Sequence, residues 1–321
     1  MDDLGVVNRS GRVSENETKI PLVSILIPTY NRAVFFQQAL ESVLSQTYKN
    51  IEVIVCDNSE NDETKNLVEA YQKVHSHIRY YKNETNLKYI GNMRRCLELA
   101  SGEYINFLMD DDLFMPQKIE KMMAFCLIDQ AINLVTSPRI IINQVGEVIE
   151  PRLMGLKVTG NWVGSGRELA KLSITNIENF LGEPTTVLFK KAALKFPFGT
   201  YYHHEFLVLS DLVTWYSILE EGKAVYLSEP LSYFRKHSEQ NTAQNEKKWE
   251  GKIPGFDEAA KIADIVASTN FYDTKVEYTR FVVNILSIYT QILTRLINEK
   301  GEHLEIPEDY AQLMYNIISK I

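Results

Sequence analysis

Cysteine is scarce: Cys56, Cys96 and Cys126 are the only three in 321 residues. Their odd number and irregular spacing exclude a disulfide framework and a thiolate metal cluster, and predict reduced, mostly buried thiols in a reducing compartment. No apolar run approaches the roughly 20 residues that a membrane span requires. Basic charge is also short. Lys and Arg total 34 against 42 Asp and Glu, a formal net charge of −8, which argues against a broad nucleic-acid surface. A few Arg or Lys can still bind a phosphate locally. Residues 1–19 lack the basic start and apolar core of a secretory signal. Being polar and aperiodic, they predict a mobile leader on a cytoplasmic chain.

What the chain does have, from Pro21 onward, is short β-rich runs alternating with helically spaced segments. VSILI (23–27) reads as a buried strand closed by Pro28, and 34–44 as a helix. IEVIV (51–55) predicts a second strand, 64–75 a helix and 78–81 a weaker strand. Residues 90–100 predict a helix with Gly102 as its C-cap, 104–108 a strand, and 116–128 a helix opening near Pro116. Beyond 130 the order is less regular. Strands are expected at 134–136, 140–143, 186–189 and 224–227, a turn at 144–147, a Gly-rich loop at 155–166 and a helix at 212–220. Residues 237–252 are polar and predicted mobile, and the signal from 256 is helical. The alternation implies an α/β fold with a mostly parallel sheet flanked by helices, whose ligands bind outside the carboxyl ends of the strands.

Three strands end in polar punctuation at that edge: PTYNR (28–32), CDNS (56–59) and MDDD (109–112). Asp110, Asp111 and Asp112 would repel one another if left unpaired, and a divalent cation such as Mg²⁺ or Mn²⁺ would relieve that. The alternative is a solvated acidic turn ahead of the next helix. Asp57 is placed to accept a hydrogen bond from a base or ribose, or simply to start a turn. In the first loop Tyr30 suits stacking on a base and Arg32 pairing with phosphate. The plainer reading is a loop entering a helix with Asn31 as its cap.

The order of these motifs, with NLKYIGNMRRCLELASGEYINFL (86–108) and MDDDLFMP (109–116), resembles the family 2 glycosyltransferases of the GT-A fold, in particular the spore-coat type. Two later segments are similar as well. SDLVTW (210–215) resembles the segment with the family's base, an Asp four residues ahead of a Trp. KAVYLSEPLSYFRKH (223–237) resembles the ending that gives a His to the metal. The resemblance covers residues 20–245 and implies a GT-A domain over 20–250 with a helical C-terminal extension over 251–321. It also implies an inverting transfer from a UDP- or dTDP-sugar to a hydroxyl of a glycan or glycolipid, as in surface polysaccharide synthesis. Asp211 would be the base, although an Asp opening a helix is also stabilised by the dipole. Asp111 and His237 would hold Mn²⁺ or Mg²⁺. Pro28, Tyr30, Arg32, Asp57, Asn86, Lys88, Asn92, Arg94 and the acidic triplet would line the donor, and Glu183, Thr185 and Trp215 the acceptor.

Two departures stand out. Met109 replaces the first acidic residue of the family's D-x-D-D pattern, which leaves Asp111 as the metal ligand, with Asp110 and Asp112 near the ribose or behind the metal. Lys88 stands where the family often has Gly. His203, His204 and Glu205 form a polar cluster without an assigned role, Glu205 being the next base to test. Val282, Val283, Leu286, Ile288, Tyr289, Ile292, Leu293 and Leu296 recur at roughly helical spacing, as a docking face does, or a homodimer or peripheral membrane contact. Two other functions stay open at this point: a catalytically silent nucleotide-sugar-binding module of a larger synthase, and a nucleotide-sugar hydrolase.

Overall fold

The structure, a computed structural model, describes residues 20–176, 178–238, 240, 256–269, 271–300, 315, 318 and 319. The first half alternates as expected: β1 (Val23–Thr29), α1 (Ala33–Leu44), β2 (Ile51–Asp57), α2 (Glu63–Gln72), β3 (Ile78–Lys82), α3 (Lys88–Leu99) and β4 (Tyr104–Phe107). There follow β5 (Leu113–Phe114), α4 (Lys118–Ile128), β6 (Ile132–Thr136), β7 (Arg139–Ile142), β8 (Val148–Met154), β9 (Trp162–Ser165) and α5 (Gly166–Asn176). The rest comprises β10 (Leu188–Lys190), β11 (Thr200–Tyr201), β12 (His204–Glu205), α6 (Ser210–Leu219), β13 (Lys223–Tyr226), β14 (Ser232–Arg235), α7 (Phe256–Ser268) and α8 (Lys275–Lys300).

Eight strands form the main sheet in the order β3-β2-β1-β4-β10-β6-β13-β9, parallel except where β10 and β9 enter. Along β1 the side chains alternate between two cores. Val23, Ile25 and Ile27 join one cluster with Phe36 of α1, Val68 of α2 and Ile119 of α4, while Leu26 joins the other with Met93 of α3, Leu169 of α5 and Trp215 of α6. This is the period-2 pleat of a strand covered on both faces.

A second sheet, β5-β14-β7-β8, sits beside the acidic triplet. The sequence reading missed β8 and β9. The glycine-rich stretch expected to be loop holds Gly164 in β9, and a Cβ there would come within 2.3 Å of the Trp162 indole.

Three local expectations are corrected. Pro28 does not end its strand, which runs on to Thr29. Leu26 accepts from Leu108 N on the β4 side and Thr29 from Asn58 N on the β2 side. Residue 28 therefore faces β4 beyond that strand's last paired residue, where a missing N–H costs little. Gly102 is not a helix cap, because α3 ends at Leu99 with Ala100 extended. Its N–H instead donates to Ser24 Oγ at 2.8 Å and Glu52 Oε1 at 3.1 Å, and a Cβ would lie 2.6 Å from Ser24 Oγ. Asn31 is not the α1 cap either. It adopts a left-handed φ of 53°, and its side chain accepts from Glu60 N at 3.1 Å, tying the first loop to the second.

The C-terminal helices share the core of the main domain. Ile265 and Val266 of α7 and Phe281, Val282 and Ile285 of α8 are buried with α5 and α6, and Asn284 donates to Thr175 O at 2.8 Å. The described part of the apolar stripe is thus largely a docking face within the chain, although Val283 points outward at 55% exposure. The side chains of Tyr289, Ile292, Leu293 and Leu296 lie outside the described residues, as do residues 241–252 of the polar stretch and the leader. Among the described residues no helix is long and apolar enough to cross a membrane.

Candidate active site

The three polar loops meet where the carboxyl ends of β1, β2 and β4 place them. Thr29 stands in register with Asp57, and β4 hands the chain to the acidic triplet three residues beyond Phe107. All three triplet carboxylates are buried, and each is used differently. Asp110 accepts from Thr29 Oγ1 at 2.9 Å and Tyr30 N at 3.3 Å, and meets Arg32 Nη1 at 3.2 Å. Burial, then the Asp111 charge, pushes it up to about 6. Both oxygens of Asp112 are taken up within the chain, by Thr185 Oγ1 at 2.6 Å and Arg235 N at 2.9 Å. Burial, then Asp111, raises its pKa well above the usual carboxylate range.

Asp111 is the member turned toward incoming groups. Its Oδ2 lies 2.9 Å from both Arg32 Nη1 and His237 Nε2. Sheet pairing of β14 with β5 brings that histidine across 126 residues, and the Phe35 ring packs against it. Arg235 is fully buried and braces the loop: its Nε donates to Asp111 O at 2.7 Å and its Nη2 to Gln38 Oε1 at 2.8 Å.

At the adjoining edge Tyr30 is 41% exposed, with its hydroxyl on Glu60 and Asn86 nearby. Asp57 is fully buried and accepts from Ser59 N and Tyr80 Oη, both at 2.7 Å. Lys88 is exposed and holds φ 59°, a left-handed backbone that explains why glycine suits this position. Asn86 Oδ1 accepts from Lys88 N at 2.8 Å and stabilises that turn.

Asp211 opens α6 and accepts from Leu212 N at 2.8 Å. It keeps some solvent contact, yet the protein strips most of its hydration. That burial, followed by the Glu183 charge, pushes it up to about 7. Glu183 itself pairs with the buried Arg139 at 2.6 Å. Tyr89 links the two halves. After burial, the charges of Asp211, Asp111 and Glu183 all raise its phenol.

Four side chains expected at ligands are placed elsewhere. Asn92 is a buried strut that donates to Cys56 O at 2.9 Å and accepts from Asn83 at 2.9 Å. Arg94 is committed to Phe198 O, Thr200 and Glu205. Thr185 is 2% exposed with its hydroxyl on Asp112, and Trp215 is fully buried with its indole donating to Gly182 O at 3.0 Å. Neither has surface to offer a ligand; both brace the Gly182–Glu183–Pro184 loop. Pro28 is buried too, and contributes by aiming the loop that follows.

Residues 24–196 match the model of glycosyl transferase family 2. The chain belongs to that family. The glycosyltransferase is 30% identical over 256 residues to an uncharacterized glycosyltransferase of Rickettsia typhi, covering 75% of this chain and 73% of that one. It is 37% identical over 106 residues to the GalNAc(5)-diNAcBac-PP-undecaprenol β-1,3-glucosyltransferase of Campylobacter jejuni, 32% of this chain and 34% of that protein. The match thus spans about a third of that relative's length. In structure the chain is similar to S. aureus TarS 1–349 in complex with UDP-GlcNAc, with a TM-score of 0.62 at 17% identity, covering 92% of this chain and 79% of that one. The expected GT-A fold, a largely parallel sheet flanked by helices, is therefore present.

Sequence reasoning missed Tyr89, Arg139, Arg235, Asn58 and Asn83. Tyr89 and Arg235 lie inside quoted motifs, beside residues that drew attention first. Asn58 accepts from Asn83 and Leu87 N, binding the second loop to the start of α3. Arg139 opens a short strand with no motif around it.

Proposed function

We propose that this family 2 glycosyltransferase moves a sugar with inversion from a UDP- or dTDP-sugar to a hydroxyl of a glycan or glycolipid, as in surface polysaccharide synthesis. The observation that carries the reading is the meeting of Asp111 Oδ2 with His237 Nε2 and Arg32 Nη1 at 2.9 Å each. The carboxylate and the imidazole there are an oxygen and a nitrogen donor held side by side, as a cation site needs, while the Arg32 guanidinium takes the same oxygen and has to turn aside for an ion. Oxygen and imidazole ligands about 3 Å apart can share a single ion with bonds of about 2.0–2.2 Å, so Asp111 and His237 fit Mn²⁺ or Mg²⁺. When bound, that ion would neutralise charge on the departing nucleoside diphosphate.

The chain's own groups supply the rest. Arg32 lies beside the same carboxylate and can turn to a phosphate oxygen. Tyr30, with Asn86 beside it, offers a face to the base and Lys88 a cation at the rim, while the buried Asp57 holds the second loop through Ser59 N. On the other side Asp211 removes the acceptor hydroxyl's proton, and Glu183 tunes it and flanks the acceptor. A carboxyl poised near 7 takes a proton readily yet remains largely ionised just above neutrality. The relative's undecaprenol-linked substrate favours a lipid-linked glycan acceptor met at the inner membrane surface of a cytoplasmic enzyme. The boundary between transferase domain and helical extension falls near residue 250 in this reading.

Calorimetry of nucleoside diphosphates with Mn²⁺ and with chelator tests it, on wild type and Asp111→Ala. Metal-dependent binding of one pyrimidine nucleotide, lost in the variant, is expected. Failure of every nucleotide to bind would overturn the reading.

A further inference from the structure

The β11–β12 hairpin carries two adjacent histidines that the site above does not use. Tyr202, in its turn, holds a left-handed φ of 52°. Neighbouring side chains of an extended strand point to opposite faces, but this turn breaks the alternation. The rings of His203 and His204 lie 4.1 Å apart between centroids. Helix α7 brings Asp264 against them, with Oδ2 3.5 Å from His204 Nε2. One ligand atom from each of His203, His204 and Asp264 lies within 4.8 Å of the other two. His204 Nε2 is buried and makes no hydrogen bond. Leaving a buried ring nitrogen unsatisfied is costly, and a cation beside the carboxylate would satisfy it.

We propose that His203, His204 and Asp264 form a second metal site, separate from the sugar-transfer centre, for a borderline transition cation of the zinc type. Two imidazoles and one carboxylate suit Zn²⁺, with water in the fourth position, whereas Mg²⁺ and Ca²⁺ favour oxygen ligands. Tetrahedral bonds of about 2.0–2.2 Å place ligand atoms about 3.3 Å apart. Modest side-chain rotation closes the present spacing, and His203 is exposed, with room to turn. The nearby cation, Lys261, is engaged elsewhere: it donates to Glu205 O at 2.8 Å and lies over the Phe206 ring. The Glu205 carboxylate pairs with Arg94.

The site fastens α7 to the hairpin, and α7 holds the approach to the base. Glu258, less than two helical turns before Asp264, accepts from Leu207 N at 2.6 Å, Val208 N at 3.1 Å and Leu209 N at 2.7 Å. These N–H groups immediately precede Ser210 and Asp211. Metal binding therefore steadies the segment that positions Asp211.

Cobalt and zinc titrations of the full chain near pH 7.5 test the site, read by visible absorption and calorimetry. One equivalent of Co²⁺ with intense tetrahedral-type bands, displaced by Zn²⁺, is expected. It should persist in Asp111→Asn and weaken at least tenfold in His204→Gln, Asp264→Asn and the exposed His203→Gln. Zinc should also slow amide exchange in α7 of the wild type and not of His203→Gln. Circular dichroism of the metal-free variants checks their folding. The proposal is overturned by the absence of saturable binding, by binding that survives all three substitutions, or by binding that Asp111→Asn alone removes.

Discussion

The acid limb of the pH–rate profile ties the Asp211 environment to function. With its carboxyl pushed up to about 7, the base form is roughly a tenth of the enzyme at pH 6 and roughly nine tenths at pH 8. kcat/KM for transfer should therefore rise about tenfold between those values in the free enzyme. Glu183 is the largest charge behind the shift after burial, with Arg139 opposing it. Glu183→Gln removes the unfavourable neighbour and frees the Arg139 charge, so the limb should move to lower pH. Asp211→Asn should abolish the limb and lower kcat by about 10²–10⁴, the usual contribution of a general base, while donor binding is retained. Initial rates of nucleotide release, coupled to product detection and corrected for metal occupancy at each pH, give the profile. A limb that Glu183→Gln leaves in place, or near-normal turnover by Asp211→Asn, would refute the assignment.

Three further outcomes follow from packing. Gly102→Ala should destabilise the fold by about 1–3 kcal/mol in denaturant titration, since its Cβ meets Ser24 Oγ at 2.6 Å and Ser24 N at 2.7 Å. Asn92→Ala should cost about 1–3 kcal/mol by stranding Cys56 O and Asn83, with a weaker donor KM as the secondary effect. Lys118 is fully buried, donating to Thr186 O at 2.8 Å, and burial holds its pKa well below the usual lysine range. The unfolded chain then binds the extra proton, so Lys118 makes stability rise with pH from its folded pKa up to the ordinary lysine value. Lys118→Met should raise the denaturation midpoint at neutral pH and flatten that dependence.

The part of the fold that was legible in sequence is the part built from local patterns. VSILI, IEVIV and YINF are runs of β-formers bounded by polar loops, and each became a buried strand ending at the site. Of the second sheet only β7 and the turn after it were legible, because β5 has two residues and its partner β14 lies more than a hundred residues away. The acidic triplet stood out by residue type and position, and Asp211 only through the resemblance of SDLVTW to a family segment. Asn92 and Trp215 were read as ligand contacts because both stand in segments that resemble family motifs. Whether such a group faces the cleft or braces its wall depends on tertiary partners, Cys56 O and Gly182 O, that no spacing rule reveals. Tyr89 and Arg139 act through their positions in space and carry no sequence signal of their own.

The late position of His237 has a consequence for synthesis of the protein. The pairings among β1 to β4 all lie within residues 23–107, so the half that carries the first three loops can organise while the remainder is still being made. The histidine reaches Asp111 only after β14 has been translated and has found β5 and β7. On the function proposed above, a nascent chain would pass through a stage with a shaped donor cleft and an incomplete cation grip, and competence for transfer would arrive late in folding.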